Sequence, residues 1–318
     1  MNMLKSRFTG LVCWLVLGSS ILPNAFGGQT KKWEQVPETV RATVLANGGK
    51  VGTVDLEREK INGLAVYEAV GKDKSGNEVD LVITEDGKLV ATKNDDASDK
   101  AQEQSAKNSG KAAELPKFTH PQNITNPWLP LASVKQDILE GSEDKKVTRV
   151  ERTARPDLHK NFKIGKQTVA ALVFEDRVFE DGKLAEVALD YMAQGDDGAV
   201  YYLGEDVDEY KNGKIAGHEG AWLLGKHTKI PGILMPATPK VGDKFKAEDV
   251  PNITTEADEV MSEIETVTVP TGTYQNCLKI KEVLSDGAIE YKYFAKGIGC
   301  IKEVPADGEL LLKSHTMK

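Results

Sequence analysis

Four acids, Asp190, Asp196, Asp197 and Glu205, fall close together around Gly195 and Gly198. Hard cations take several oxygen ligands, and a glycine-bearing loop can gather them, so this is the metal candidate that spacing offers first. The order departs from an EF-hand, because no third loop acid or glutamate follows at the required positions. A tight turn with two solvated aspartates accounts for Asp196-Asp197-Gly198 more simply, and no metal is assigned. Carboxylates can also work as general acid and base when their surroundings drive their pKa values apart. Asp190, Glu205, Asp243, Glu256 and Asp258 contain pairs that would suit a hydrolase or sugar-active enzyme, but spacing selects none of them.

The five histidines, His120, His159, His218, His227 and His315, are scattered, with no HExxH or paired zinc-ligand spacing. No serine sits in G-x-S-x-G, and neither Cys277 nor Cys300 has a nucleophile's context. Gly297-x-Gly299 lacks the rest of a nucleotide fingerprint and reads as a bend in a sheet. No catalytic residue and no cofactor follow from these motifs. Trp128, Tyr201, Tyr202 and Trp222 are the aromatic candidates for a concave ligand site, since such side chains bury large areas and keep a polar edge. The core reading is the safer one for Trp222, and an exposed Trp128 is the better contact candidate. Cys277 and Cys300 leave two readings open, a disulfide or two small buried thiols.

These residues need elements to hold them. Trp33, Val36, Val40 and Val44 recur at helical spacing, which predicts one amphipathic helix over 33–46 that stops at Asn47-Gly48-Gly49. Alternating segments at 51–59, 64–71, 78–84 and 88–92 predict a small antiparallel sheet beneath it. From 96 to 115 the composition turns to Asp, Lys, Ser, Gln, Ala and Asn, which predicts a flexible linker between independently moving parts. Strand signals then dominate 116–318, at 146–154, 168–180, 184–194, 199–204, 260–269, 274–284, 288–295 and 298–304. Turns such as Glu180-Asp181-Gly182-Lys183 and Lys211-Asn212-Gly213 separate them. The expected fold is an α+β N-terminal module at 29–95 followed by an antiparallel all-β sandwich or barrel.

The segment WEQVPETVRATVLANGGKVGTVDLEREKINGLAVYEAVGKDKSGNEVDLVITEDGKLV resembles a PepSY-like, β-lactamase-inhibitor-like module. Val36-Pro37 opening the helix, Val66-Tyr67-Glu68 in the second strand and Glu85-Asp86-Gly87-Lys88 before the last carry the likeness. The resemblance implies an extracytoplasmic binding module, with protease or hydrolase inhibition proposed for some relatives. NPWLPL, DYMAQGDDGAVYYLGE, GAWLLGKHTKIPGILMP, VTVPTGTYQNCLKIKE and EYKYFAKGIGC together resemble an uncharacterised family of secreted β domains, which implies architecture and location.

Lys5 and Arg7 precede an apolar run from Phe8 to Leu22 that meets Pro23 and the small-residue pattern Ala25-Phe26-Gly27. Residues 1–27 therefore read as a signal peptide, and the mature form as periplasmic or extracellular with no membrane span. The 318-residue chain carries a net charge of −8, and loss of Lys5 and Arg7 takes it to −10. That sign disfavours nucleic acid as a partner. The function expected is an exported, non-enzymatic binding protein with a protein or peptide partner, against two alternatives: an unrecognised hydrolase in the β part, or an apolar-ligand carrier.

Overall fold

The computed structural model describes residues 29–52, 54–61, 64–72, 78–93, 115–250 and 252–318. The expected signal peptide and nearly all of the expected linker lie outside them. Within the described residues the chain is mostly antiparallel β. The first sheet runs in sequence order, β1 (Gln29–Lys31), β2 (Val54–Ile61), β3 (Leu64–Lys72), β4 (Glu78–Thr84) and β5 (Leu89–Lys93). Helix α1 (Glu38–Ala46) lays Val40 and Val44 on it, against Tyr67, Ala69, Leu81 and Ile83. The helical stretch is shorter than periodicity predicts. Trp33–Gln35 forms a separate 3-10 turn, and Val36 is extended at φ −86° and ψ 136°. A residue before proline is pushed out of the helical region, so Val36-Pro37 breaks the run. On the other face of the sheet, Val66 and Val82 are buried and pack with Val90 and Ile264, a contact with the second sheet that a linker alone does not foretell.

The second sheet is built from β6 (Val134–Glu143), β7 (Lys146–Ala154), β10 (Leu172–Glu180), β11 (Lys183–Gln194), β12 (Val200–Lys211), β13 (Lys214–Gly217), β14 (Trp222–Leu223), β15 (Gly232–Met235), β16 (Lys244–Val250), β17 (Thr254–Val269), β18 (Gly272–Leu284), β19 (Ile289–Ala295), β20 (Gly299–Val304) and β21 (Gly308–Met317). Strands β8 (Asn161–Ile164) and β9 (Gln167–Ala170) make a hairpin of their own. The expected strand over 168–180 is thus two. Ala171 N–H donates to Lys160 O at 2.9 Å, which turns the chain out of one hairpin and into β10. Asp181 and Gly182 (φ 46° and 75°) and Asn212 and Gly213 (φ 54° and 72°) take the left-handed pair that two-residue hairpins require.

The strand order is β13-β12-β11-β10-β7-β6-β21-β20-β19-β18-β17-β16, with β14 and β15 both pairing β12. Most neighbours are hairpin partners, so the sheet winds as a meander. The β21–β6 pair joins its last strand to its first. The two ends then approach each other through β15. Gly232 pairs Tyr202 of β12 on one side, and a Cβ on Gly232 would lie 1.8 Å from the Ala247 carbonyl oxygen of β16 on the other. Gly232→Ala is therefore expected to lower stability by about 1–3 kcal/mol through overpacking. A fall in the urea midpoint with the slope unchanged would show it; an unchanged midpoint would mean that β15 and β16 do not meet there.

Candidate functional site: an acidic interior

Side chains alternate across a strand, so each strand of this curled sheet gives every second residue to the inside. On β7 the inward residues are Val150, Arg152 and Ala154; on β10 they are Phe174, Asp176 and Val178. Val150 and Val178 belong to one apolar cluster, while Ala154 and Phe174 belong to another. Arg152 and Asp176 lie between, in a charged belt with an apolar layer at each end. Asp137, Glu143, Asp176, Glu186, Asp190, Glu205, Glu248, Glu256, Asp258, Glu282, Glu290 and Glu303 all contribute buried carboxyls to the inner face. Against these acids, Arg152 and Lys292 are the buried bases on the same face among the described residues. Burying an ion is costly unless it is paired, protonated or bound to a metal.

Part of the belt is paired in register. His315 faces Asp137, Asp137 faces Arg152, and Arg152 faces Asp176 across four neighbouring strands. His315 Nδ1 is 2.7 Å from Asp137 Oδ1, and Arg152 Nε donates to Asp176 Oδ2 at 2.9 Å. Arg152 also reaches Glu303 at 3.5 Å. Burial works against the guanidinium charge, but Asp176 and Glu303 more than offset it, and Arg152 stays firmly protonated. A second group uses the aromatics. Tyr202 Oη donates to Asp190 Oδ1 at 2.5 Å, and Trp222 Nε1 donates to Glu248 Oε1 at 2.6 Å. The Thr254 hydroxyl also donates to Glu248. The Tyr202 and Trp222 rings meet edge to face at 5.4 Å. Burial pushes Glu248 up to about 7 even with these donors pulling it back.

The third group gathers three carboxyls. Glu256, Asp258 and Glu282 bring one carboxylate oxygen each within 4.8 Å of the others. Lys292 Nζ is 2.8 Å from Glu282 Oε2. Glu256 Oε2 and Asp258 Oδ1 have no hydrogen-bond partner. Burial holds Glu186 at about 8, helped by Glu209 and Asp190, and Glu290 at about 8, helped by Glu282.

The structure thus separates the acids that spacing grouped. Asp190 and Glu205 face each other inside. Asp197 accepts from Ala199 N at 3.0 Å, as turn residues do, while Asp196 accepts from Thr119 N and Oγ1, both at 2.7 Å, and so ties the turn to the segment before β6. Of the five carboxylates considered for acid–base work, Asp190, Glu205, Glu256 and Asp258 are interior. Asp243 lies in a turn, where it accepts from Lys240 N at 2.9 Å. Tyr202 and Trp222 are brought together, whereas Tyr201 bonds Asp197 and stacks edge to face on Phe118. Trp128 is buried rather than exposed, with Lys296 Nζ 4.7 Å from its ring centroid. The segment before β6 folds over the end of the sheet and covers it. Cys277 and Cys300 are free, buried thiols. Strand β19 runs between theirs, and two strand spacings exceed the Cα separation that a disulfide spans.

Arg152, Glu282, Lys292 and Asp176 were not singled out by motif. For Arg152, Asp176 and Glu282 the signal is a charge two residues from apolar neighbours on both sides, as in Val150-x-Arg152-x-Ala154 and Phe174-x-Asp176-x-Val178; Lys292, with Glu290 before it, carries no such signal. A groove of about 590 Å³ lies on the outside, lined by Val147, Arg149, Phe179, Pro270 and Lys313 among others. No helix among the described residues is long and apolar enough to cross a membrane. No family model, curated protein or solved structure matches the chain.

Proposed function

We propose that this chain is an exported, non-enzymatic binding protein whose β part takes up a positively charged ligand in its interior. The observation that carries this reading is the excess of buried carboxyls over Arg152 and Lys292 on the inner face. A closed antiparallel barrel with such an inner face favours a cation over an apolar guest. The interior positions of Asp190, Glu205, Glu256 and Asp258, each below 5% exposed, favour binding over hydrolysis of an extended substrate. The helix on its five-stranded sheet supports the PepSY-like reading of residues 29–95, in which that module recognises a protein or peptide and inhibits a secreted protease or hydrolase.

The test is thermal unfolding of the chelator-treated mature chain at pH 8 with calcium, magnesium or the polyamine spermidine. At least one is expected to raise Tm by about 5–10 °C when present a hundredfold above its Kd. No shift with any of them would overturn the interior site. For the module, the full chain is mixed with purified envelope proteases and hydrolases, and absence of binding at micromolar levels would count against inhibition.

A further inference from the structure

Resting on the cation-binding reading, we infer that Glu256, Asp258 and Glu282 form a calcium site inside the β part. Three observations converge. First, β17 sends Glu256 and Asp258 inward two residues apart, and Asp258 faces Glu282 of β18 in register, so backbone pairing aims the three carboxyls at one point. Their nearest oxygens lie within 4.8 Å of one another, close enough for a single ion to bridge. Second, each of the three residues is less than 5% exposed, yet Glu256 Oε2 and Asp258 Oδ1 have no hydrogen-bond partner. Buried polar oxygens are nearly always satisfied; although Asp258 also hydrogen-bonds Glu256 and the Ala247 backbone, these two remaining oxygens are free to take a cation. Third, Lys292 leaves the site short of neutral. Burial favours the protonated form of Glu256 and Asp258 in the metal-free protein; a divalent ion that displaces those protons meets three carboxylates less one ammonium, a net charge of two that it balances.

The donor set selects the ion. It is all oxygen, which excludes the softer metals' preference for sulfur and nitrogen. The three residues offer one carboxylate oxygen each at a common point, and calcium accepts a flexible shell of mono- and bidentate carboxylates. Magnesium demands a near-ideal octahedron and gives up water reluctantly, which a site this enclosed does not suit. Lys292 keeps its 2.8 Å contact with Glu282 and stays charged beside Glu303, so the ion adds to the ammonium instead of replacing it.

The chelator-treated mature chain is dialysed against calcium chloride at pH 8, and bound calcium is counted. Wild type and Asp243→Asn, which alters a turn outside the belt, are expected to bind one tight calcium and to gain about 5–10 °C in Tm. Glu256→Gln and Asp258→Asn keep the shape of the side chain and remove its charge, and both are expected to lower the affinity at least about tenfold. Binding in either variant equal to wild type would overturn the site, as would a wild type that binds no calcium. If spermidine stabilises the chain while calcium does not, this inference fails and the cation-binding reading stands. If calcium, magnesium and spermidine all leave Tm unchanged, both fail. Should one variant not fold, the other and the wild-type stoichiometry still decide.

Discussion

Arg152→Ala is expected to destabilise the protein by about 3–5 kcal/mol at pH 8. The side chain is 6% exposed and lies between Asp176, at 2.9 Å, and Glu303, at 3.5 Å. Truncation leaves two buried carboxyls without their common partner and opens a cavity between the apolar clusters. At about 2–4 °C for each kcal/mol in a chain of this size, Tm falls by roughly 10 °C. The loss should shrink in acid, because burial holds the Asp176 carboxyl above its ordinary value and a protonated Asp176 no longer needs the guanidinium. Replacing the pair together, as Arg152→Met with Asp176→Leu, removes both charges and should recover much of the loss, because an apolar pair of similar volume stabilises as well as a buried ion pair. Calorimetry of the two singles and the double measures this coupling. An Arg152→Ala protein as stable as wild type would mean that the guanidinium does not bridge the belt.

How much of this was legible in the sequence depends on which force fixes each element. The Asp181-Gly182 and Asn212-Gly213 hairpins were readable because their left-handed conformations admit few residue types. Strand β7 was readable over its whole length, 146–154, because it alternates between two clear turns. Strand β12 runs seven residues beyond the expected end at Gly204. The glycine, at φ 121°, lets Trp222 of β14 come close without ending the strand, so a residue that reads as a stop acts as a bulge. Strands β6, β16 and β21 were missed for one reason that also hid the site. Their inward faces include Asp137, Glu143, Glu248 and His315 where a half-wet sheet would place apolar residues. Period-two reading assumes that polar means outside, and here that assumption fails in the middle of the strand. Which charges converge was beyond reach, because Glu248 and Trp222 meet only when the ends of the sheet come together.

The stability of the metal-free protein is expected to fall as pH rises from about 5 to 9. Glu186 is held at about 8 by burial, with Glu209, Asp190 and Asp176 adding repulsion from β12, β11 and β10. Glu143 is held at about 9, again first by burial, with Glu290, Glu303, Asp144 and Glu180 around it. Both carboxyls are raised above their unfolded values near 4.5, so the folded state binds more protons than the unfolded state through this range. Their contribution is complete below about pH 4.5 and is lost as pH climbs through 8 and then 9, at ~1.4 kcal/mol for each pH unit over which one such proton is retained. Asp157 and Asp196 act in the opposite direction, since Arg155 and Thr119 respectively hold them below their ordinary value, and what they contribute is lost only in stronger acid. The optimum should therefore sit near pH 5, with Tm lower by at least ~10 °C at pH 8.5. Glu186→Gln is expected to be more stable than wild type at pH 8.5 and to flatten the slope, since an amide keeps the shape and carries no charge to bury. Calorimetric scans at half-unit steps in the presence of chelator test this directly. A Tm that climbs from pH 5 to 8 would mean that the interior carboxyls are ionised and solvated, and the belt would then be a water-filled passage.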